Sequence, residues 1–312
     1  MKPFEPAKQP TIYFIGVTTG KSAIMKVFPK WAEALGLKDA VIRGIDIELH
    51  ADPRVYREAV EFIKSDEHSV GALVTAHKLD VFSAARDLFD EFDPYAQALH
   101  ELSCISKRDG RLTGHAKDPI SSGLAMRAFT PPNFWSEHRG EVFLMGAGGS
   151  AVAIAASLIG QDGNRPVRIT VSDLDSGRLN HFAEVMARMN ADPGLFEYVS
   201  ADRDGVNDTV LSRLPSHSLV VNATGLGKDR PGSPISDEAS FPADSLVWEL
   251  NYRGDLRFLE QARRQAEEKR LSVHDGWIYF IHGWTQVIAE VFHIPIGERE
   301  VERLALLASE LH

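Results

Sequence analysis

The chain has 312 residues, of which 44% are apolar and 25% charged, and this length suits two domains with separate hydrophobic cores. The formal net charge of −10, without any clustered basic run, argues against a nucleic-acid-binding protein. Cys104 is the single cysteine, which excludes a disulfide framework and a cysteine-based zinc site, and the histidines lack metal-ligand spacing, so we predict no metal.

The first 130 residues alternate apolar strands with amphipathic helices, and this alternation predicts an α/β domain with a parallel sheet. Functional loops of such sheets lie at the carboxyl ends of strands, so the residues after Val17 and Thr75 should face one cleft. The predicted strands are 11–17, 41–47 and 69–75; the predicted helices are 24–35, 53–63 and 79–89; a hairpin is predicted from 102–106 and 111–114.

The segment 130–138 contains two adjacent prolines and is predicted to be a linker that breaks any helix. Further strands are predicted at 166–173, 195–199, 218–222 and 245–250, and helices at 178–190, 255–269, 277–292 and 298–311. The last two helices have no strands of their own, so we expect them to pack back on the first domain. This divides the chain into a substrate domain, 1–130 joined by 277–312, and a dinucleotide-binding domain, 131–276.

The stretch 141–159 predicts an apolar strand, a glycine turn and a helix of small residues. Its glycines fit G-x-G-x-x-G/A, in which the first makes the tight turn and the second lets the backbone approach a pyrophosphate. The N-terminus of the helix then offers N–H groups and the positive end of its dipole to that pyrophosphate. The predicted cofactor-binding residues of this Rossmann-type loop are Gly146, Ala147, Gly148, Gly149, Ser150 and Ala151.

Asp173 ends the next predicted strand about 25 residues after Gly148, near the distance expected of an acid that binds ribose hydroxyls. A carboxylate there accepts both hydroxyls and repels a 2′-phosphate, which favours NAD over NADP as the cofactor. The alternative is that Asp173 only caps the following helix, although Asp175 or Ser176 could cap it as well. Another strand end, Asn222, Ala223 and Thr224, should border the nicotinamide half of the cofactor.

A nicotinamide enzyme that oxidises an alcohol also needs a group that removes the hydroxyl proton. Lys78 and Asp118 are the best candidates, because a lysine whose pKa is lowered by burial can shuttle a proton and a nearby carboxylate can orient the substrate hydroxyl. Taken alone, each would more often be a solvated surface charge. His77 could tune the neighbouring amine, but a surface or supporting position is the simpler interpretation.

The order of these motifs resembles that of the shikimate dehydrogenase family. The corresponding segments are 73–78, Ala116-Lys117-Asp118, the glycine loop, the Asn-Ala-Thr strand end, and Asp275-Gly276 followed by a helix with Gln286. The resemblance implies an N-terminal substrate domain followed by a Rossmann-type NAD(P)-binding domain. It also implies that Lys78 and Asp118 are the catalytic pair, that Gln286 contacts a substrate hydroxyl, and that Gly276 is a cofactor contact.

The chain departs from the family at Leu73 and Ala116, where the family has asparagine, and at Ile24, where it has serine. Each unpaired polar group in a site that reads hydroxyls costs about 1 to 3 kcal/mol, so we expect a related cyclic or polyhydroxylated acid, or a less polar hydroxy compound, rather than shikimate itself. The predicted substrate contacts are Thr18, Lys21, Ser22, Thr75, Tyr252 and Gln286. For Tyr252, packing between the domains is an alternative.

The sequence thus predicts a shikimate/quinate dehydrogenase-like oxidoreductase that transfers a hydride between NAD and a secondary alcohol or ketone held between the domains. A non-catalytic nucleotide-sensing module of the same fold and a methylene-tetrahydrofolate-dehydrogenase-like enzyme are the alternatives. The expected partner is a small hydroxy or keto acid, with no nucleic acid or membrane, and the protein is expected to be a monomer or homodimer. We predict a cytoplasmic location, because segment 1–10 lacks the apolar core of a secretion signal.

Overall fold

The computed structural model describes residues 4–161, 163–228 and 230–310, and the chain divides into two compact units. The first unit comprises Met1–Lys117 and Ile281–His312, and the second comprises Asp118–Phe280. Each unit contains one six-stranded sheet. The chain therefore crosses between the units twice, at Lys117 and at Phe280, whereas the sequence placed these crossings near residues 130 and 276.

The first unit is built on a mixed sheet. Its strands are β1 (Thr11–Gly16), β2 (Val41–Asp46), β3 (Ser69–Val74), β4 (Glu91–Phe92), β5 (Cys104–Arg108) and β6 (Arg111–His115), and its helices up to this point are α1 (Ile24–Ala34), α2 (Pro53–Ser65), α3 (Lys78–Ala85) and α4 (Pro94–Leu99). The strand order is β2-β1-β3-β5-β6-β4. β1 is parallel to β2 and β3, while β5 is antiparallel to β3 and β6, as the predicted hairpin requires.

The second unit contains a fully parallel sheet. Its strands are β7 (Val142–Met145), β8 (Ile169–Asp173), β9 (Phe196–Ser200), β10 (Leu219–Asn222), β11 (Leu246–Glu249) and β12 (Ser272–His274), and its helices are α5 (Asp118–Arg127), α6 (Phe134–His138), α7 (Gly149–Ile159), α8 (Ser176–Arg188), α9 (Val206–Leu211) and α10 (Arg257–Lys269). The order β12-β11-β10-β7-β8-β9 reverses direction between β7 and β10, as in a Rossmann fold. The predicted α/β fold class with a Rossmann-type domain is confirmed.

Three local predictions differ from the structure. The predicted linker contains α6, whose buried residues Phe134 and Trp135 follow the two prolines and so escape their effect on the backbone. Both α4, with 6 residues, and β12, with 3, are too short to show a periodic pattern. Finally, α5 belongs to the second unit because it packs on α7, where Gly123 approaches the Ser157 hydroxyl so closely that a Cβ would collide with it.

The C-terminal helices are α11 (Trp277–Val291) and α12 (Glu298–Ser309), and the chain belongs to the first unit from residue 281 onward. Trp284 packs edge-on against Phe14 of β1, with ring centroids 5.1 Å apart. The buried Trp31 indole donates a hydrogen bond to the Leu304 carbonyl at 2.8 Å. Helices without a sheet of their own thus complete the core of the first unit.

We expect Leu304→Ala to lower the free energy of unfolding by about 2 to 5 kcal/mol, because Leu304 is fully buried where α12 meets α1. Leu306→Ala is the matched control: Leu306 lies on the same helix but is 70% exposed, so a change within about 0.5 kcal/mol is expected. Urea denaturation followed by tryptophan fluorescence measures both. Equal losses in the two variants would show that α12 does not contribute to this core.

Candidate functional site

The glycine loop of the second unit is shaped to admit a ligand at the start of α7. Gly146 has φ 98°, and a Cβ at this position would lie 2.7 Å from the Ala223 carbonyl oxygen, so a larger residue is excluded on both grounds. At Gly148, the N-cap of α7, a Cβ would meet nothing within 4 Å, and no side chain caps the helix. The N–H groups of the first turn are therefore placed to bind an anion such as a pyrophosphate.

Asp173, at the end of β8, holds this loop. One carboxylate oxygen accepts a hydrogen bond from the Ala147 N–H at 2.8 Å, and the other accepts one from the Asp175 N–H at 2.9 Å. The cap of α8 is Asp175, whose carboxylate accepts a hydrogen bond from the Gly177 N–H at 2.8 Å. The alternative in which Asp173 serves only as that cap is excluded. The negative charge of Asp173 instead lies beside the glycine loop. The following residue, Leu174, is 76% exposed.

A buried polar network fixes the ends of β10 and β11. The Asn222 side-chain oxygen accepts hydrogen bonds from the Thr224 N–H and hydroxyl, at 3.1 and 2.6 Å, and its amide donates to the Glu249 carboxylate at 2.7 Å. Glu249 also accepts hydrogen bonds from the Asn251 backbone and side-chain N–H groups, at 2.8 and 2.7 Å. Burial raises the pKa of Glu249 to about 7, against the opposing effect of these donors.

Sequence reasoning included Asn222 and Thr224 but missed Glu249 and Asn251. The available signal was their position at and just after the carboxyl end of β11, where functional loops of a parallel sheet lie. The network matters for the glycine loop because Gly146 packs against the backbone of Ala223 and Thr224. Glu249 therefore supports the glycine loop indirectly. It binds Asn222, Asn222 binds Thr224, and the backbone of Ala223 and Thr224 contacts Gly146.

Glu249 should make stability depend on pH. A carboxyl group whose pKa rises from 4.5 to about 7 on folding stabilises the folded state below pH 4.5 and loses that contribution as pH rises through 7, an effect of about 3 kcal/mol. We expect the melting temperature to fall more between pH 5 and pH 8 in the wild type than in Glu249→Gln, which cannot ionise. Thermal melts at both pH values measure this difference, and identical pH dependence in the two proteins would contradict it.

The segments after β11 and β12 form an aromatic cluster. Tyr252 packs against Trp277 and Phe280, with ring centroids 5.5 and 5.0 Å away. Gly276 lies so close to the Leu250 carbonyl that a Cβ would collide with it, which explains the glycine by packing alone. The substrate role of Tyr252 and the cofactor role of Gly276 stay predictions.

In the first unit, the loop after β1 is pinned to β2. The Thr19 N–H and hydroxyl both donate to one carboxylate oxygen of Asp46, at 2.8 and 2.6 Å, and Thr19 is buried. The predicted substrate contacts Thr18 and Lys21 are exposed, and Ser22 is half-buried. The loop therefore offers a hydroxyl and an ammonium group at its surface while Asp46 fixes its backbone.

Lys78 is the first residue of α3, which follows the short loop after β3. Burial lowers the pKa of its amine, and the nearby Glu101 carboxylate opposes that shift. His77, the N-cap residue, is completely buried, which excludes the surface alternative and agrees with the supporting position. One ring nitrogen of His77 lies 2.9 Å from the Ile47 carbonyl oxygen and the other 3.4 Å from the Tyr56 hydroxyl. These contacts fix the start of α3 against the end of β2 and thereby orient Lys78.

The segment 101–103 connects the Lys78 region to the end of β6. The Leu102 N–H donates to the Lys78 carbonyl at 3.1 Å, and the Ser103 N–H donates to the His115 carbonyl at 2.9 Å. The Ser103 hydroxyl accepts a hydrogen bond from the Lys117 N–H at 2.7 Å. Sequence analysis assigned residues 102–106 to a strand, whereas β5 begins at Cys104, and it did not identify residues 101–103 as part of the site.

The predicted site residues thus fall into two groups. The first unit holds Thr18, Lys21, Ser22, Thr75 and Lys78 in loops at the carboxyl ends of β1 and β3, and Gln286, half-buried on α11. The second unit holds Asp118, at the start of α5, together with the cofactor loop, Asp173, the Asn222 strand end, Tyr252 and Gly276. Lys78 and Asp118 belong to different units, so their pairing stays a prediction.

The described part of the chain contains neither a metal-binding cluster nor a membrane-spanning helix. Within residues 4–161, 163–228 and 230–310, no group of three or more His, Cys, Asp or Glu side chains is arranged to hold a metal ion. Within the same ranges, no helix combines the length and the apolar character needed to cross a membrane.

Comparison with known proteins by sequence gives relatives named shikimate dehydrogenase (NADP(+)). No protein-family model matches the chain. Over 182 residues the chain is 29% identical to shikimate dehydrogenase (NADP(+)) of Streptococcus thermophilus, and the match covers 57% of this chain and 59% of that protein. The chain therefore spans less than two thirds of the length of this curated relative.

Comparison of folds extends the likeness to nearly the whole chain. Quinate dehydrogenase from Corynebacterium glutamicum, solved in complex with NAD, matches with a TM-score of 0.74 and 20% identity, covering 97% of this chain and 99% of that one. The chain is thus similar to a shikimate dehydrogenase in sequence and to a quinate dehydrogenase in fold. The predicted family resemblance is confirmed. This shikimate dehydrogenase-like fold also matches ligand-free 5-ketofructose reductase of Gluconobacter sp. strain CHM43, with a TM-score of 0.72, 16% identity, and coverage of 98% and 99%.

Proposed function

We propose that this chain is an NAD(P)-dependent dehydrogenase that transfers a hydride between a nicotinamide cofactor and a secondary alcohol or ketone. The observation that carries the proposal is the uncapped N-terminus of α7 behind Gly148, at the point where the strand order of the second sheet reverses. The comparisons support it, because the sequence relative and the quinate dehydrogenase are both dehydrogenases by name.

We further propose that the preferred cofactor is NAD. The Streptococcus thermophilus relative is named for NADP(+), whereas the quinate dehydrogenase holds NAD, so the local chemistry of this chain has to decide. Asp173 supports NAD because its carboxylate is fixed beside the cofactor loop by the N–H groups of Ala147 and Asp175. A negative charge in this position accepts ribose hydroxyls and repels a 2′-phosphate.

Asp173→Ser should therefore reduce the preference for NAD over NADP by at least about tenfold, since removal of one charge repulsion is worth about 1.4 kcal/mol or more. Fluorescence titration with NADH and NADPH gives the ratio of dissociation constants without requiring a substrate. Loosening of the glycine loop should weaken both cofactors, so the ratio is the quantity to compare. Asp175→Asn, which alters the cap of α8 two residues away, is the control and should keep the wild-type ratio. An unchanged ratio in Asp173→Ser would refute the assignment.

For the proton transfer we propose Lys78 and Asp118. The cofactor, when bound, supplies or accepts the hydride. The Lys78 amine would accept the hydroxyl proton during oxidation and return it to the carbonyl oxygen during reduction, while Asp118 would orient the substrate hydroxyl. The lowered pKa of Lys78 supports this role, because it increases the neutral fraction of the amine near neutral pH. His77 supports it by fixing the start of α3.

Lys78→Ala should lower turnover by at least about a hundredfold and leave the NADH dissociation constant unchanged, because Lys78 lies in the first unit and the cofactor loop in the second. Steady-state kinetics and the same fluorescence titration measure the two quantities. Lys26→Ala, an exposed lysine on α1, is the control and should behave as the wild type. Near-normal turnover in Lys78→Ala would exclude Lys78 as the proton-transfer group.

The proposed substrate is a cyclic or polyhydroxylated acid other than shikimate. Lys21 offers a positive charge for a carboxylate, with Thr18 and Ser22 as hydroxyl donors. Ala116 is completely buried and, like Leu73, cannot hydrogen-bond a ring hydroxyl through its side chain. The 5-ketofructose reductase shows that this fold occurs in a protein named for a different substrate. To test the proposal, the enzyme is given quinate, shikimate and related hydroxy acids, and turnover of each is measured from the change in nicotinamide absorbance. NADH binding without turnover of any of these acids would favour the nucleotide-sensing alternative.

A further inference from the structure

A second carboxyl group, Glu101, lies buried beside Lys78. Glu101 is 4% exposed, and its Oε1 atom is buried without a hydrogen-bond partner among the described residues. A carboxylate in such surroundings is costly unless a positive charge compensates for the lost hydration. The proposed dehydrogenase chemistry assigns no role to this buried carboxyl group.

The backbone explains how Glu101 reaches Lys78. The N–H of the next residue, Leu102, donates to the Lys78 carbonyl at 3.1 Å, and the Ser103 carbonyl accepts from the Val74 N–H at 2.9 Å. These two bonds hold the segment against the end of β3 and the start of α3. Consequently the half-buried Lys78 and the buried Glu101 are held near each other. The carboxylate raises the pKa of Lys78 and the ammonium lowers that of Glu101, each against the effect of desolvation.

Other titratable groups near Lys78 are placed differently. The ring of His77 is engaged by the Ile47 carbonyl and the Tyr56 hydroxyl. The Asp80 carboxylate lies 4.0 Å from His77 and is 46% exposed, so water screens its charge. Asp118 belongs to the second unit and is the partner that the proposed function gives to Lys78. Within the first unit, Glu101 is thus the buried carboxylate whose charge Lys78 experiences with least screening.

We propose that Glu101 is a positioning residue whose negative charge sets the protonation state of the Lys78 amine. The catalytic meaning of this inference rests on the proposed function, because only a dehydrogenase would use Lys78 for proton transfer. With Glu101 ionised, Lys78 keeps its proton to higher pH and is prepared to donate it to a carbonyl oxygen. Without that charge, the neutral amine predominates and the enzyme should favour oxidation of the alcohol at lower pH.

The protonation of Lys78 can be measured without any substrate. Only the neutral amine reacts with acetic anhydride, so mass spectrometry of the acetylated Lys78 peptide across a pH series gives its titration curve. In Glu101→Gln we expect Lys78 to react about tenfold faster than in the wild type at a pH below its pKa, a shift of about one pH unit. Glu101→Asp, which keeps the charge, should retain most of the wild-type curve.

Folding is checked in each variant by circular dichroism, and Glu101→Ser provides a second neutral replacement if Glu101→Gln does not fold. Exposed Lys26 in the same samples is the internal reference for reagent reactivity. Superimposable Lys78 curves in the wild type and in a folded neutral variant would overturn the inference.

Activity separates this inference from the proposed function. In the oxidation direction, the rising limb of the pH–rate profile should move to lower pH in Glu101→Gln by the same shift that the labelling shows. A labelling shift in a protein that turns over no hydroxy acid would leave the role of Glu101 intact and refute the dehydrogenase. Turnover that depends on Lys78, with neither curve moved by Glu101→Gln, would refute the role of Glu101 and leave the dehydrogenase intact.

Discussion

The carboxylate of Asp173 joins two neighbouring strand ends, because it accepts one hydrogen bond from the glycine loop after β7 and another from the turn after β8. This tie places a fixed negative charge beside an uncapped helix N-terminus, which carries a partial positive charge. The two features together form the part of the structure on which the proposed cofactor chemistry depends. Behind them, Asn222 and Glu249 hold the backbone against which Gly146 packs.

The first unit shows the opposite electrostatic problem, since its proposed proton-transfer group is a half-buried amine that carries a positive charge when protonated. His77 and Glu101 address it in different ways. His77 fixes the backbone from which Lys78 projects through contacts with Ile47 and Tyr56, and Glu101 brings a compensating charge into the same region. Because desolvation lowers its pKa, a lysine placed in this way has a larger neutral fraction at a given pH than an ordinary surface lysine.

Much of the fold could be predicted because its signals are local. Apolar strands, proline-opened helices such as α2, and the glycine loop each depend on residues close together in the chain. The failures came where tertiary contacts decide. Phe134 and Trp135 form a helix inside a proline-rich segment because burial stabilises it, and β12 exists because Ser272–His274 adds to the edge of β11. His77 is buried by packing against Tyr56, which no local pattern encodes.

The sequence by itself determined the glycine loop, the acid at the end of β8 and the order of motifs that resembles shikimate dehydrogenases, since backbone freedom at glycine and strand polarity are properties of short segments. Only the tertiary structure decided which groups surround Lys78. Glu101 becomes its neighbour because β3 pairs with β5, and the pairing brings segment 101–103 to the start of α3. Burial then gives both charges their effect, because an electrostatic interaction is strong only where water has been excluded.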